Sequence, residues 1–187
     1  AFPDPSGALV LYGAVARERL PQHLDLHAQL EWSEPGNLFV SISAEGDGRA
    51  PAGQATLIAS VFTPARPWFG LPELDYQQRK DEALRGIQAG LQRLLGVAPS
   101  DYLHVELATP RGFAGWTGRP FGFVGGLGQH PSRFGPFGLA SCTPLPGLWL
   151  CGDAIYPGEG TAGVSLSAFT ACRQLLVARG GELLLAP

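Results

Sequence analysis

Asp153 closes an apolar run, GLWLCGD (Gly147–Asp153), and the loop that follows, AIYPGEGTAG, is nearly bare of side chains. A carboxylate at the carboxyl end of a strand is placed to accept hydrogen bonds from the hydroxyls of a ribose or ribityl chain. The amides at a helix start are unpaired and carry partial positive charge, so a loop without side chains lets a phosphate or an electron-rich ring approach them. Gly158, Gly160 and Gly163 supply that bareness just before VSLSAFTACRQLL, whose small residues Ser165, Ser167, Ala168 and Ala171 suit a helix packed closely on its neighbours. The competing reading is structural: the glycines make turns and Asp153 closes the loop.

Other residues offer less chemistry. His23 and His27 would share a face of a strand, but two histidines without a third ligand seldom make a native zinc site, so no metal is expected. His104 and His130 are candidate acid/base groups, each equally explained as a hydrogen-bonded residue. Arg111 and Arg119 flank GFAGWTG, either as guanidiniums near a ligand or as surface charges. No G-x-S-x-G is present, which leaves nucleophilic hydrolysis unsupported. Catalytic residues stay unassigned.

The elements that must position these residues are legible in outline. ALVLY (8–12), HLDLHAQLEW (23–32), NLFVSISAEG (37–46) and GQATLIASVFTP (53–64) read as strands joined by turns, which predicts a mostly antiparallel sheet. In DYQQRKDEALRGIQAGLQRLLG, Leu84, Ile87, Leu91, Leu94 and Leu95 recur at helical spacing, with Asp75 able to cap the start and Gly96 to stop the end. DYLHVELATP is a further strand. The Gly-rich tract from Arg111 to Gly138 shows neither period and reads as a functional loop, before a closing strand and helix. The fold class expected is α+β: an antiparallel sheet with a packed helix, plus a final strand-helix unit. The boundaries read as 1–110, 111–146 and 147–187.

Composition narrows the function. The 187 residues carry a formal net charge of -3, giving no attraction to nucleic acid. With 26 glycines and 17 prolines against 45% hydrophobic residues, the chain reads as globular and loop-rich. Three cysteines without CxxC spacing argue against a disulfide framework and for a reducing compartment, so a cytoplasmic location is expected. The uncharged run Phe134–Gly152 is broken by prolines and cannot make a spanning helix. TPARPWFGLP (63–72) sets Trp68, Phe69 and Leu71 between prolines, either packed inside or exposed to dip into a membrane edge. The chain has no methionine and opens Ala-Phe-Pro-Asp-Pro, so it is expected to be part of a longer protein.

The segment GLWLCGDAIYPGEGTAGVSLSA, with the upstream ATPRGFAGWTGRPFGFVGGLGQHPSRFGPFGLASCTPLP, resembles the C-terminal FAD-contacting region of carotenoid desaturases and isomerases. These are amine-oxidase-like flavoproteins, and the likeness is greatest to cyanobacterial carotenoid 3',4'-desaturase-type members. It is dense over residues 104–176 and faint before them. The resemblance implies an FAD-dependent oxidoreductase acting on a carotenoid or similar polyene, by desaturation or isomerisation. It implies Gly152 and Asp153 at the ribityl-pyrophosphate part, Gly158, Glu159, Gly160 and Thr161 along the isoalloxazine, and Gly163 and Val164 at its pyrimidine edge. Glu159 is otherwise a solvated loop charge. His130, Arg119 and Trp116 are the substrate-side candidates. The flavoproteins of this group open with a strand followed by G-x-G-x-x-G, and this chain is expected to lack that unit, since GFVGGLG has no helical continuation. It is therefore expected to be the C-terminal portion of the enzyme, missing the N-terminal FAD-binding part and holding FAD weakly or not at all by itself. The other readings are a non-catalytic module needing a partner dinucleotide-binding domain, and an amine oxidase-like enzyme.

Overall fold

The computed structural model of the chain describes residues 6–22, 27–31, 37–126, 132 and 137–182. The chain divides into two units, Ala1–Val124 and Gly125–Pro187. The first is built on a sheet of five strands in the order β2-β3-β4-β1-β5. They are β1 (Ser6–Ala16), β2 (His27–Leu30), β3 (Leu38–Ile42), β4 (Gln54–Pro64) and β5 (Tyr102–Ala108), and every neighbouring pair is antiparallel. This is the α+β architecture expected, and β3, β4 and β5 fall inside the segments whose periodicity announced them.

Alternation decides which face is dry. Ala55, Leu57, Ala59 and Val61 of β4 are buried, together with Leu9, Leu11 and Val15 of β1, Leu38, Val40 and Ile42 of β3, and Leu107 of β5. The helix α1 (Glu73–Leu95) contributes Tyr76, Ile87, Leu91 and Leu95 to the same core, with Leu84 partly buried beside them. Leu94, at the margin of that stripe, is exposed. Asp75 lies in the first turn as an acid facing the helix dipole and does not cap it: the N-cap is Pro72, and no side chain bonds there. Gly96 ends the helix in the left-handed conformation, as its position after Leu95 predicted.

The opposite face of the sheet stays open in part. Its rows, read from the register, bring Ser41, Ile58, Tyr12 and Glu106 across from one another, with Phe39, Ser60 and Val10 in the next row. Tyr12, Phe39 and Phe62 are exposed there.

Two expectations about irregular segments change. The tract after β5 begins with a helix, α2 (Pro110–Thr117), where a loop was expected. Thr109 caps it by accepting from the Gly112 amide at 3.5 Å, Pro110 stands at the first helical position, and Gly118 ends it with φ +69°. The Trp68 loop packs inward: Trp68 is 2% exposed, its indole N–H donates to Thr63 Oγ1 at 3.4 Å, and Phe69 and Leu71 pack against the same core. Arg79 covers the indole face at 4.9 Å. None of the three side chains is placed to enter a membrane.

The second unit holds a short hairpin and the helix α3 (Gly160–Ala178). The expected strand Gly147–Asp153 reduces to one antiparallel bridge, Cys142 to Trp149. The Leu150 amide donates to the Ser141 carbonyl at 2.8 Å, and Thr143 Oγ1 donates to the Leu148 carbonyl at 2.9 Å across the turn. An apolar run extends as a strand when a neighbouring strand pairs along its length, and among the described residues this run has one short partner.

Candidate functional site

The second unit brings Gly152, Asp153, Gly158, Glu159, Gly160, Thr161, Gly163 and Val164 into one segment, a turn-rich loop running into the start of α3. The loop is tied down from within. Tyr156 N–H donates to the Leu139 carbonyl at 2.9 Å, Gly158 N–H donates to the Ile155 carbonyl at 2.9 Å, and Ile155 is buried. Asp153 is half-buried, and Glu159 and Thr161 are exposed.

The glycines have distinct reasons. Gly158 and Gly160 take φ of +121° and +84°, conformations that side chains avoid. At Gly163 a Cβ would lie 2.5 Å from the Gly158 carbonyl oxygen, so the third glycine lets the loop lie against the first turn of the helix. Around Gly160 nothing lies within 4 Å of where a Cβ would stand, which leaves the backbone open at the helix start. The N-cap residue, Glu159, makes no side-chain cap, and the first turn carries no acidic residue, so no side-chain carboxylate of that turn competes for its amides.

These six residues, Gly158-Glu159-Gly160-Thr161-Ala162-Gly163, spell G-x-G-x-x-G and open a helix. The expectation that the chain carries no such spacing is corrected by this stretch. The physical requirement of a pyrophosphate grip is nevertheless a strand leading into the first glycine, and here Cys151–Pro157 forms turns. The spacing is present without the strand that makes it a dinucleotide fingerprint.

Sequence reasoning missed three participants. Gly125 and Gly126, in GFVGGLG, lie against this loop: a Cβ at 126 would overlap the Asp153 carbonyl and the Ala154 amide, and one at 125 would overlap the Glu159 carboxylate. The Glu159 carboxylate therefore lies close to the Gly125 backbone, while its side chain remains exposed. Ser167 accepts a hydrogen bond from the Gly152 amide at 3.0 Å and is fully buried. The signals were a Gly-Gly pair and a hydroxyl inside an apolar helix, both weak on their own.

Two of the three substrate-side candidates are not in that segment's own unit. Arg119 and Trp116 belong to the first unit, where Arg119 lies 5.4 Å from the Phe123 ring centroid and Trp116, on α2, is 92% exposed. His130 lies outside the described residues, as does His23. Arg111 is accounted for structurally: it pairs with Glu73 at 2.8 Å and covers the Tyr76 ring at 4.4 Å. Gln77 and then Arg111 hold the Glu73 carboxyl below its ordinary range. His27 stacks on Phe39, His104 is exposed on β5, and the three cysteines are free and exposed. Among the described residues no group of three His, Cys, Asp or Glu is placed to hold a metal ion. No described helix is long and apolar enough to cross a membrane.

No protein-family model matches the chain. Among curated proteins, it is 30% identical over 169 residues to the chloroplastic prolycopene isomerase of Arabidopsis thaliana, covering 85% of this chain and 28% of that protein. The chain is thus homologous to carotenoid isomerases of the amine-oxidase-like FAD superfamily. The chloroplastic prolycopene isomerase of Daucus carota is 26% identical over 185 residues, 93% of this chain and 30% of the carrot protein. Prolycopene isomerase 2 of an Oncidium hybrid cultivar is 26% identical over 151 residues, 79% and 25% of the two chains. The family match thus spans the sheet domain as well as the α3 loop, although the chain covers at most 30% of the length of these relatives.

Proposed function

We propose that this chain is the C-terminal part of an FAD-dependent oxidoreductase that acts on a carotenoid or similar polyene, with isomerisation or desaturation as its reaction. The observation that carries the proposal is the open, glycine-lined start of α3 beside Asp153, in a chain related to carotenoid isomerases. The donor set suits a flavin. Asp153 would accept from a ribityl hydroxyl, and the unpaired first-turn amides of Gly160 to Ala162, with Gly163 and Val164 just behind them, would direct the positive end of α3 at the electron-rich edge of the ring. FAD, when bound, supplies a two-electron acceptor; isomerisation uses the same placement without net oxidation.

The chain's own share is placement. The open sheet face, with Phe39, Ile58, Tyr12 and Phe62 on three adjacent strands, offers a strip of apolar and aromatic side chains about 10 Å wide for a polyene. Leu57, Ala59 and Val61, on the other face of β4, are packed in the core with α1 and take no part in this strip. Trp116 and Arg119 remain the substrate-side residues of the proposal. The substrate's insolubility in water favours a site of action at the edge of a membrane, and flotation of the intact protein with liposomes tests it.

The test of the function is to load the intact protein with FAD, remove free flavin, and supply a poly-cis carotene. A product of unchanged mass supports isomerisation and one lighter by two hydrogens supports desaturation; no turnover of any carotenoid overturns the proposal. A second reading, a non-catalytic module that needs a dinucleotide-binding partner, draws on the turns that replace a strand before Gly158. FAD retained by this chain alone contradicts it.

A further inference from the structure

We propose that Ser167 is a positioning residue for the cofactor loop, acting through the Gly152 amide. The inference rests on the flavin reading above and adds to it a residue that touches neither cofactor nor substrate. Ser167 is 0% exposed on α3, where Ser165 is exposed and Thr170 bonds back to its own helix, so Ser167 is the α3 hydroxyl that is fully enclosed. Its Oγ accepts from the Gly152 N–H at 3.0 Å, across fifteen residues of sequence. Gly152 has φ +125°, so the turn that presents Asp153 is unusual in conformation, and the described structure gives its amide this one partner.

The geometry along α3 explains what the tether does. Ser167 stands about two turns, roughly 10 Å, beyond Gly160, and residues 160, 163, 164 and 167 share one face of a helix. The Gly152–Asp153 turn is therefore fastened two turns along the same helix whose free first-turn amides, Gly160 to Ala162, would meet a flavin. Within a loop also tied at Ile155, Tyr156 and Gly158, this hydrogen bond is the one that fastens the Gly152–Asp153 turn directly to a side chain of α3. Without it a partly buried N–H loses its partner, and the turn moves to find water or another acceptor.

The experiment uses the intact protein and FAD as the probe, with Ser167→Ala removing the acceptor and Ser167→Thr keeping it. FAD affinity is measured by quenching of flavin fluorescence well below the melting temperature, and exchange of the Gly152 amide is followed without flavin. The expected results are ~10-fold weaker FAD binding and faster Gly152 exchange in Ser167→Ala, with Ser167→Thr within about threefold of wild type. A lowered melting temperature with unchanged FAD affinity makes Ser167 structural only and overturns the proposal. Unchanged Gly152 exchange overturns it at its first step. A wild-type protein that takes up no FAD defeats the flavin reading and the positioning role with it, while protection of Gly152 lost in Ser167→Ala would still identify the tether.

Discussion

Gly163 is where the loop's packing can be measured most sharply. In the first turn of an ordinary helix, Gly→Ala stabilises by up to about 1 kcal/mol, because alanine loses less backbone freedom. At Gly163 the added Cβ would stand 2.5 Å from the Gly158 carbonyl oxygen and 3.0 Å from its carbon, where ordinary contact begins at 3.4 Å. Both neighbours are backbone, so the loop or the helix start must move by nearly 1 Å, an overpacking that costs about 1–3 kcal/mol. The balance is a net loss of about 1 kcal/mol, reaching ~2 kcal/mol if the loop cannot yield. Hydrogen exchange over the α3 amides reads this directly, with opening about 5- to 30-fold more frequent in Gly163→Ala. Gly115, inside α2 with nothing within 4 Å of its Cβ position, is the control: Gly115→Ala should slow exchange in α2. Exchange in Gly163→Ala that is unchanged or slower would refute the close approach of loop and helix.

Leu91→Ala, at a fully buried position of α1, should cost about 2–5 kcal/mol in urea unfolding, whereas Leu94→Ala at the exposed margin should change stability by about 0.5 kcal/mol or less. Burial, with a smaller effect of Asp101, raises the Tyr102 phenol to about 12. The unfolded chain ionises first, so its stabilising share is complete below pH ~10 and is lost as pH rises towards 12; Tyr102→Phe should flatten that part of the stability curve. Glu73 shifts the other way: its share is present above its ordinary pKa and fades as pH falls below it, so Glu73→Gln should remove a small part of the acid sensitivity.

The parts of the fold that sequence periodicity exposed are those that bury one face. β4 alternates for eleven residues and α1 repeats its apolar residues from Leu84 to Leu95, about three turns, so each announced both its type and its dry side. α2 was hidden because GFAGWTG has poor helix formers; its Thr109-Pro110 start and Gly118 stop were the readable signs. The run Gly147–Asp153 has strand composition, but whether it extends depends on partners that composition does not name. Trp68 between prolines resembled an exposed loop because prolines mark chain direction, not burial; its indole is enclosed by Thr63, Tyr76 and Arg79. At the candidate site, the resemblance picked out the residues from Gly152 to Val164, while the roles of Gly125, Gly126 and Ser167 arise from contacts across long sequence separations.

The central claim is that Asp153 and the start of α3 hold the flavin end of FAD. Its most direct measurement is the flavin-to-protein ratio retained after desalting by the intact protein, in wild type and Asp153→Ala prepared in parallel. The account predicts a yellow wild-type protein and a variant that loses most of its flavin while keeping its circular dichroism spectrum. Equal flavin in both would contradict it.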